Sequence, residues 1–82
     1  MKICIDERTY EGTGAEIMEQ LRRQTFDPGE YPDTESYIRQ LRANFMRATD
    51  LACDLPESGM ERQARAMFAH LARAGALEIL EE

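Results

Sequence analysis

The residues of this 82-residue chain with the widest chemical range are one histidine, His70, and two cysteines, Cys4 and Cys53. A zinc site normally takes four ligands, and no spacing here brings even two of these three together, so neither a metal nor any cofactor is expected. A general acid or base needs a carboxylate or nucleophile within hydrogen-bond reach. Glu61, Arg62 and Arg73 lie on the same predicted helix as His70, but nothing in the sequence supplies the ring with such a partner, and it reads as a surface or boundary side chain. Ser36 and Ser58 both stand at helix starts, where a hydroxyl caps, which leaves no serine for a nucleophilic triad. Gly12 and Gly14 lack the fuller glycine fingerprint of a phosphate loop, and Glu16 puts an acid where phosphate charge would sit. The chain is therefore expected not to be an enzyme, with a His70-dependent activity as the catalytic alternative.

Charge is the more informative property. The formal net charge is −6, which opposes general affinity for nucleic acid or an anionic membrane. The charge is also divided along the chain. Residues 1–35 hold nine acids against four bases, residues 36–75 hold six arginines against four acids, and the last seven residues add Glu78, Glu81 and Glu82. Two opposed surfaces follow. Asp27, Glu30, Asp33 and Glu35, with Asp6, Glu7 and Glu11 of the start, would cover a basic groove on a partner and compete with nucleic acid for it. Arg39 and Arg42 on one predicted helix and Arg62, Arg65 and Arg73 on the next would instead form a guanidinium face for phosphates or acidic side chains. No base-reading motif accompanies these arginines, and solvated faces of amphipathic helices are the favoured account of them.

The elements that must position these charges can be read from periodicity. Ile3 and Ile5 alternate with Lys2, Cys4 and Asp6, the pattern of a half-buried strand, and Thr9 to Glu11 is a return strand across a tight Glu7-Arg8 link that lacks Asn-Gly or Asp-Gly. Thr13-Gly14-Ala15-Glu16 is a capping box that starts a helix at about Gly14, with Ile17, Met18 and Leu21 as its stripe and Phe26 packing just beyond its end. After the breaker DPGEYPD, Asp33 or Thr34 caps a second helix. Its apolar positions are Ile38, Leu41, Phe45, Ala48 and Ala52, widened by Tyr37 and Leu51. Ser58-Gly59-Met60-Glu61 is a second capping box, predicting a third helix from Gly59 to about Ala74. Met60, Ala64, Met67, Phe68 and Leu71 form its buried stripe, and Gly75 is its left-handed closing residue. Leu77 to Leu80 alternates again and reads as a final strand.

These readings give an α+β fold of order ββαααβ, three helices on a small antiparallel or mixed sheet, in one domain spanning 1–82. The expected core is Ile3, Ile5, Ile17, Leu21, Ile38, Leu41, Phe45, Met67, Phe68 and Leu71. A composition of 43% hydrophobic and 32% charged residues places the chain among folded rather than disordered proteins. No apolar run reaches the roughly 20 residues of a membrane span, and MKICIDERTY has acids where a signal peptide is apolar, so a cytoplasmic protein with reduced thiols is expected. A thin sheet with open edges leaves a homodimer open.

The segments KICIDERTYEGTGAEIMEQLR, ESYIRQLRANF and ERQARAMFAHLARAGALEIL resemble small phage-associated and prophage-associated bacterial accessory proteins that begin with a short hairpin and a Thr-capped helix. The matching residues are strand, cap and core positions, so no site residue carries over. The resemblance implies an accessory factor of a mobile element, a class that includes anti-CRISPR proteins acting by stoichiometric binding. The expected function is then a non-enzymatic binder that occludes a host protein or nucleoprotein complex through its acidic surface. The alternative is a small nucleic-acid-binding regulator using Arg39, Arg42, Arg62 and Arg65.

Overall fold

The computed structural model describes residues 1–25 and 31–82. Phe26, Asp27 and Glu30 lie outside the described residues. The elements are β1 (Lys2–Ile5), β2 (Arg8–Glu11), α1 (Gly14–Arg23), α2 (Thr34–Thr49), α3 (Met60–Arg73) and β3 (Glu78–Glu81). This is the expected ββαααβ order of an α+β fold.

The three strands lie in the order β2-β1-β3, and both pairings are antiparallel. Ile3 faces Tyr10 on one side and Ile79 on the other, so this row carries the apolar face of the sheet. Ile3 and Tyr10 are buried beneath the helices. Because side chains alternate along a strand, the adjacent rows belong to the opposite face. One is Thr9, Cys4 and Glu78; the other is Glu11, Lys2 and Glu81. The β1–β3 register shifts between Lys2 and Ile3, which makes Leu80 the extra residue of a bulge and leaves it 44% exposed. The hairpin turn falls on Asp6-Glu7 rather than the expected Glu7-Arg8, since Arg8 pairs with Ile5; both turn residues are at positive φ, 49° and 70°, as a two-residue type I′ turn requires, although neither is the glycine or asparagine that adopts it at least cost.

The helices follow the expected boundaries at three ends and depart from them at two. The Thr13–Glu16 capping box is present, Asp33 is the residue that caps α2, and α3 closes with Gly75 at φ 82°. There the Ala76 amide donates to the Leu71 carbonyl and the Gly75 amide to that of Ala72, the pair of bonds of a Schellman ending. The first departure is that α2 stops at Thr49. Asp50 takes the left-handed conformation (φ 59°), and the Thr49 hydroxyl donates to the Phe45 carbonyl while accepting from the Leu51 amide. Leu51 and Ala52 therefore do not join the buried stripe and are exposed, and Ala48, although inside α2, is exposed as well.

The second departure is the start of α3. Its N-cap is Gly59, with no side-chain cap, so the expected Ser58–Glu61 box does not form and Met60 lies 44% exposed. The reason is that the Glu61 carboxylate is already bound to α1. Its Oε2 accepts from the Gly14 amide at 2.7 Å and its Oε1 from the Ala15 amide at 2.8 Å. Gly14 allows this approach: a β-carbon there would lie 3.0 Å from Glu61 Oε2 and 3.1 Å from Arg65 Cγ.

The buried cluster consists of Ile3, Tyr10, Ile17, Met18, Ile38, Phe45, Cys53, Ala64, Met67 and Phe68. Ile5, Leu21, Leu41 and Leu71, expected inside, instead form a half-buried rim. Cys53 and Tyr10 take interior places that alternation alone did not assign. Cys53 follows from the early end of α2, which turns its thiol inward to 3.8 Å from the Met67 sulfur. Tyr10 can be buried because its hydroxyl donates to the Gln24 side chain at 2.9 Å, satisfying the polar end of an otherwise apolar ring.

Candidate interaction surfaces

A helix N-terminus with free amides is an anion site, but the first turn of α1 has none to offer. Every amide there has a partner within the chain. Thr13 donates to Glu16 Oε1, Gly14 and Ala15 to Glu61, Glu16 to the Thr13 hydroxyl, and Ile17 to the Thr13 carbonyl. Glu61 thus occupies the position an external anion would take. Burial raises its carboxyl pKa, but the Ala15 and Gly14 amides and the Arg65 guanidinium, at 2.7 Å, outweigh that and hold it below the usual range.

The acidic candidates divide according to the work they do inside the fold. Asp27 and Glu30 lie outside the described residues. Asp33 accepts the Ser36 amide at 2.7 Å as the α2 cap, and this bond lowers its pKa. Glu35 is exposed and stands 3.8 Å from Arg39, one turn along. Glu19 is the most heavily used acid: it binds Arg22, Arg23 and the Thr34 hydroxyl, tying the C-terminal half of α1 to the start of α2. The Arg22 hydrogen bonds and that from Thr34 bring its pKa down to about 2.

The acids of the sheet have no such duty. Asp6, Glu7, Glu11, Glu78, Glu81 and Glu82 are all exposed, and the strand order brings the start and end of the chain together. Lys2 on the central strand is flanked by Glu11 on one side and Glu81 on the other, and Glu78 lies in the next row. The acidic surface positioned by regular structure is therefore this sheet face and its turn. The sequence supplied these charges, but Glu11 and Glu81 are 70 positions apart, and only the central placement of β1 makes them neighbours in one row. The shared alternation of the first and last strands was the available signal.

The four arginines of the alternative reading are not equally available. Arg42 is half-buried and donates through Nε to the Cys53 carbonyl at 2.6 Å, holding the chain that follows α2. Arg65 is paired with Glu61 and lies against Gly14. Arg39 reaches Ser36 and Glu35 through weak exposed contacts, and Arg62 is exposed with its stem folded over Gly59. Two of the four thus have internal roles, one toward the α2–α3 connection and one toward α1.

His70 is half-buried, and its Nε2 lies 2.9 Å from the Asp54 carbonyl. A carbonyl only accepts, so Nε2 carries the proton and the ring acts as a strut between α3 and the preceding loop. Its other face tilts against Phe45 at a centroid distance of 6.0 Å. No protein family, curated protein or solved structure was found to match the chain.

Proposed function

We propose that this chain is a non-enzymatic interaction protein that occludes a basic surface of a host protein or nucleoprotein complex, in the manner of stoichiometric accessory factors of mobile elements. The observation that carries this reading is the antiparallel order β2-β1-β3, which gathers the carboxylates of both chain ends on one uncommitted sheet face. Like charges in neighbouring rows repel, and the single Lys2 between Glu11 and Glu81 offsets this only in part. A basic partner converts that repulsion into attraction, speeds encounter through long-range steering and makes association sensitive to salt. A surface of this sign also competes with nucleic acid for the same groove, since both present closely spaced anions.

The test is affinity capture from host lysate, with and without nuclease, using the tagged wild-type chain and the variant Glu11→Gln/Glu78→Gln/Glu81→Gln. These positions are exposed, so the variant keeps the wild-type circular dichroism and melts no lower. The expected result is one stoichiometric protein complex that survives nuclease and is lost with the variant. Equal capture by both proteins refutes the sheet surface. Recovery only when nucleic acid is intact transfers the function to Arg39 and Arg62, with Arg42 and Arg65 in support, and Arg→Ala changes would then remove a salt-dependent shift of duplex or single strand.

A further inference from the structure

The C-terminal ends of α2 and α3 meet around an open cavity of about 260 Å3, lined by Phe45, Leu51, Ala52, His70, Arg73 and Ala74. Its wall is fixed in place. The Leu51 amide is held by the Thr49 hydroxyl, the Cys53 carbonyl by Arg42 and the Asp54 carbonyl by His70, while the Cys53 side chain is fully buried. Leu51, between these anchors, is nevertheless 58% exposed, more than any other large apolar side chain described. The charge of this site differs from that of the molecule. No acid lines it, and Arg73, exposed at its edge, has neither a hydrogen bond nor an ion pair among the described residues.

We propose that this cavity binds a small monocarboxylate with a short apolar body, the carboxylate on Arg73 and the body against Leu51, Ala52 and the Phe45–His70 wall. Guanidinium binds carboxylate through two parallel hydrogen bonds, and the cavity volume limits the body to that of a short aliphatic chain or a single ring. Such a ligand binds with a Kd on the order of millimolar, as its few heavy atoms allow. The site is independent of the sheet surface, so its failure leaves the occlusion reading untouched.

The experiment is a titration of the 15N-labelled full chain with hexanoate, followed by amide chemical shifts, with hexanamide and hexylamine as head-group controls. Hexanoate is expected to shift residues 45, 51, 52, 70, 73 and 74 and to bind at least fivefold tighter than hexanamide. Hexylamine is expected not to bind. Arg73→Gln should weaken hexanoate about tenfold while leaving hexanamide unchanged, and Leu51→Glu should abolish both; each replaces an exposed side chain, and unchanged melting confirms the fold. Absence of saturable shifts, equal affinity for the three head groups, or undiminished hexanoate binding by Arg73→Gln overturns the proposal.

Discussion

Replacing Glu61 by alanine should destabilise the first helix rather than the helix that carries the residue. The carboxylate spans the gap between α3 and α1, accepting the Gly14 and Ala15 amides at 2.7 and 2.8 Å and the Arg65 Nε at 2.7 Å. Losing a single N-cap acceptor typically costs about 1 kcal/mol, and hydrogen bonds to a charged group reach about 1.5–3 kcal/mol when water is excluded. The Glu61 side chain is 38% exposed, so its two amide bonds belong near the lower of these figures. Two such bonds make Glu61→Ala cost about 2 kcal/mol, or about 10 °C in Tm for a domain of this size. Glu61→Gln keeps one oxygen but turns an NH2 toward the second amide, and should cost about 1 kcal/mol.

Ser58 is the discriminating control. A Ser58–Glu61 capping box would make Ser58→Ala cost about 1 kcal/mol, whereas a serine with no cap bond to α3 should lose less than about 0.5 kcal/mol. The assay is urea denaturation followed by far-ultraviolet circular dichroism, with amide exchange of Gly14 and Ala15 as the local readout. Both amides should exchange faster in Glu61→Ala. A loss below about 0.5 kcal/mol for Glu61→Ala together with about 1 kcal/mol for Ser58→Ala would refute the cross-helix cap and restore the local one.

Two other outcomes follow from the same geometry. Glu19 has a folded pKa of about 2 against an ordinary value of 4.5, so its stabilisation is complete above the ordinary value and is lost as pH falls toward 2. Glu19→Gln should therefore flatten the acid limb of a stability–pH curve between these values, and an unchanged limb would show that Arg22 and Thr34 do not depend on its charge. In the hairpin, Asp6→Asn/Glu7→Gly places the residues a type I′ turn favours at the two positive-φ positions and should raise stability by about 1 kcal/mol, seen as a Tm higher by about 5 °C. A fall in Tm would mean that the two acids contribute more than their backbone costs.

Periodicity located every element of this fold because each has a face with a single role. Ile3, with the half-buried Ile5, is inward on a two-residue repeat, and Ile17, Ile38, Ala64, Met67 and Phe68 are inward on a helical one. It failed where a polar side chain had two possible partners. Ser58-Gly59-Met60-Glu61 satisfies the local rule for a cap, yet Glu61 binds another helix, because Gly14 lets α1 approach within reach of the carboxylate. The α2 boundary failed for a related reason. The apolar spacing through Ala52 continues smoothly, but Thr49 binds its own helix at Phe45 and the amide of Leu51, and Arg42 draws the Cys53 carbonyl back against the bundle. Such contacts bridge separate turns or elements, and spacing within a segment cannot rank them.

The same distinction separates the two candidate surfaces. In a chain of net charge −6, an acid contributes to recognition only if the fold leaves it unspent. Asp33, Glu19, Glu16 and Glu61 are committed to helix termini and to joints between helices, where replacement changes stability first. Glu11, Glu78 and Glu81 stand on strands whose inward neighbours Tyr10, Ile79 and Ile3 already provide the packing. The sheet can therefore carry a dense row of carboxylates without those carboxylates holding it together. Neutralising them should separate binding from folding, an outcome that the helix-capping acids, by their position, do not permit.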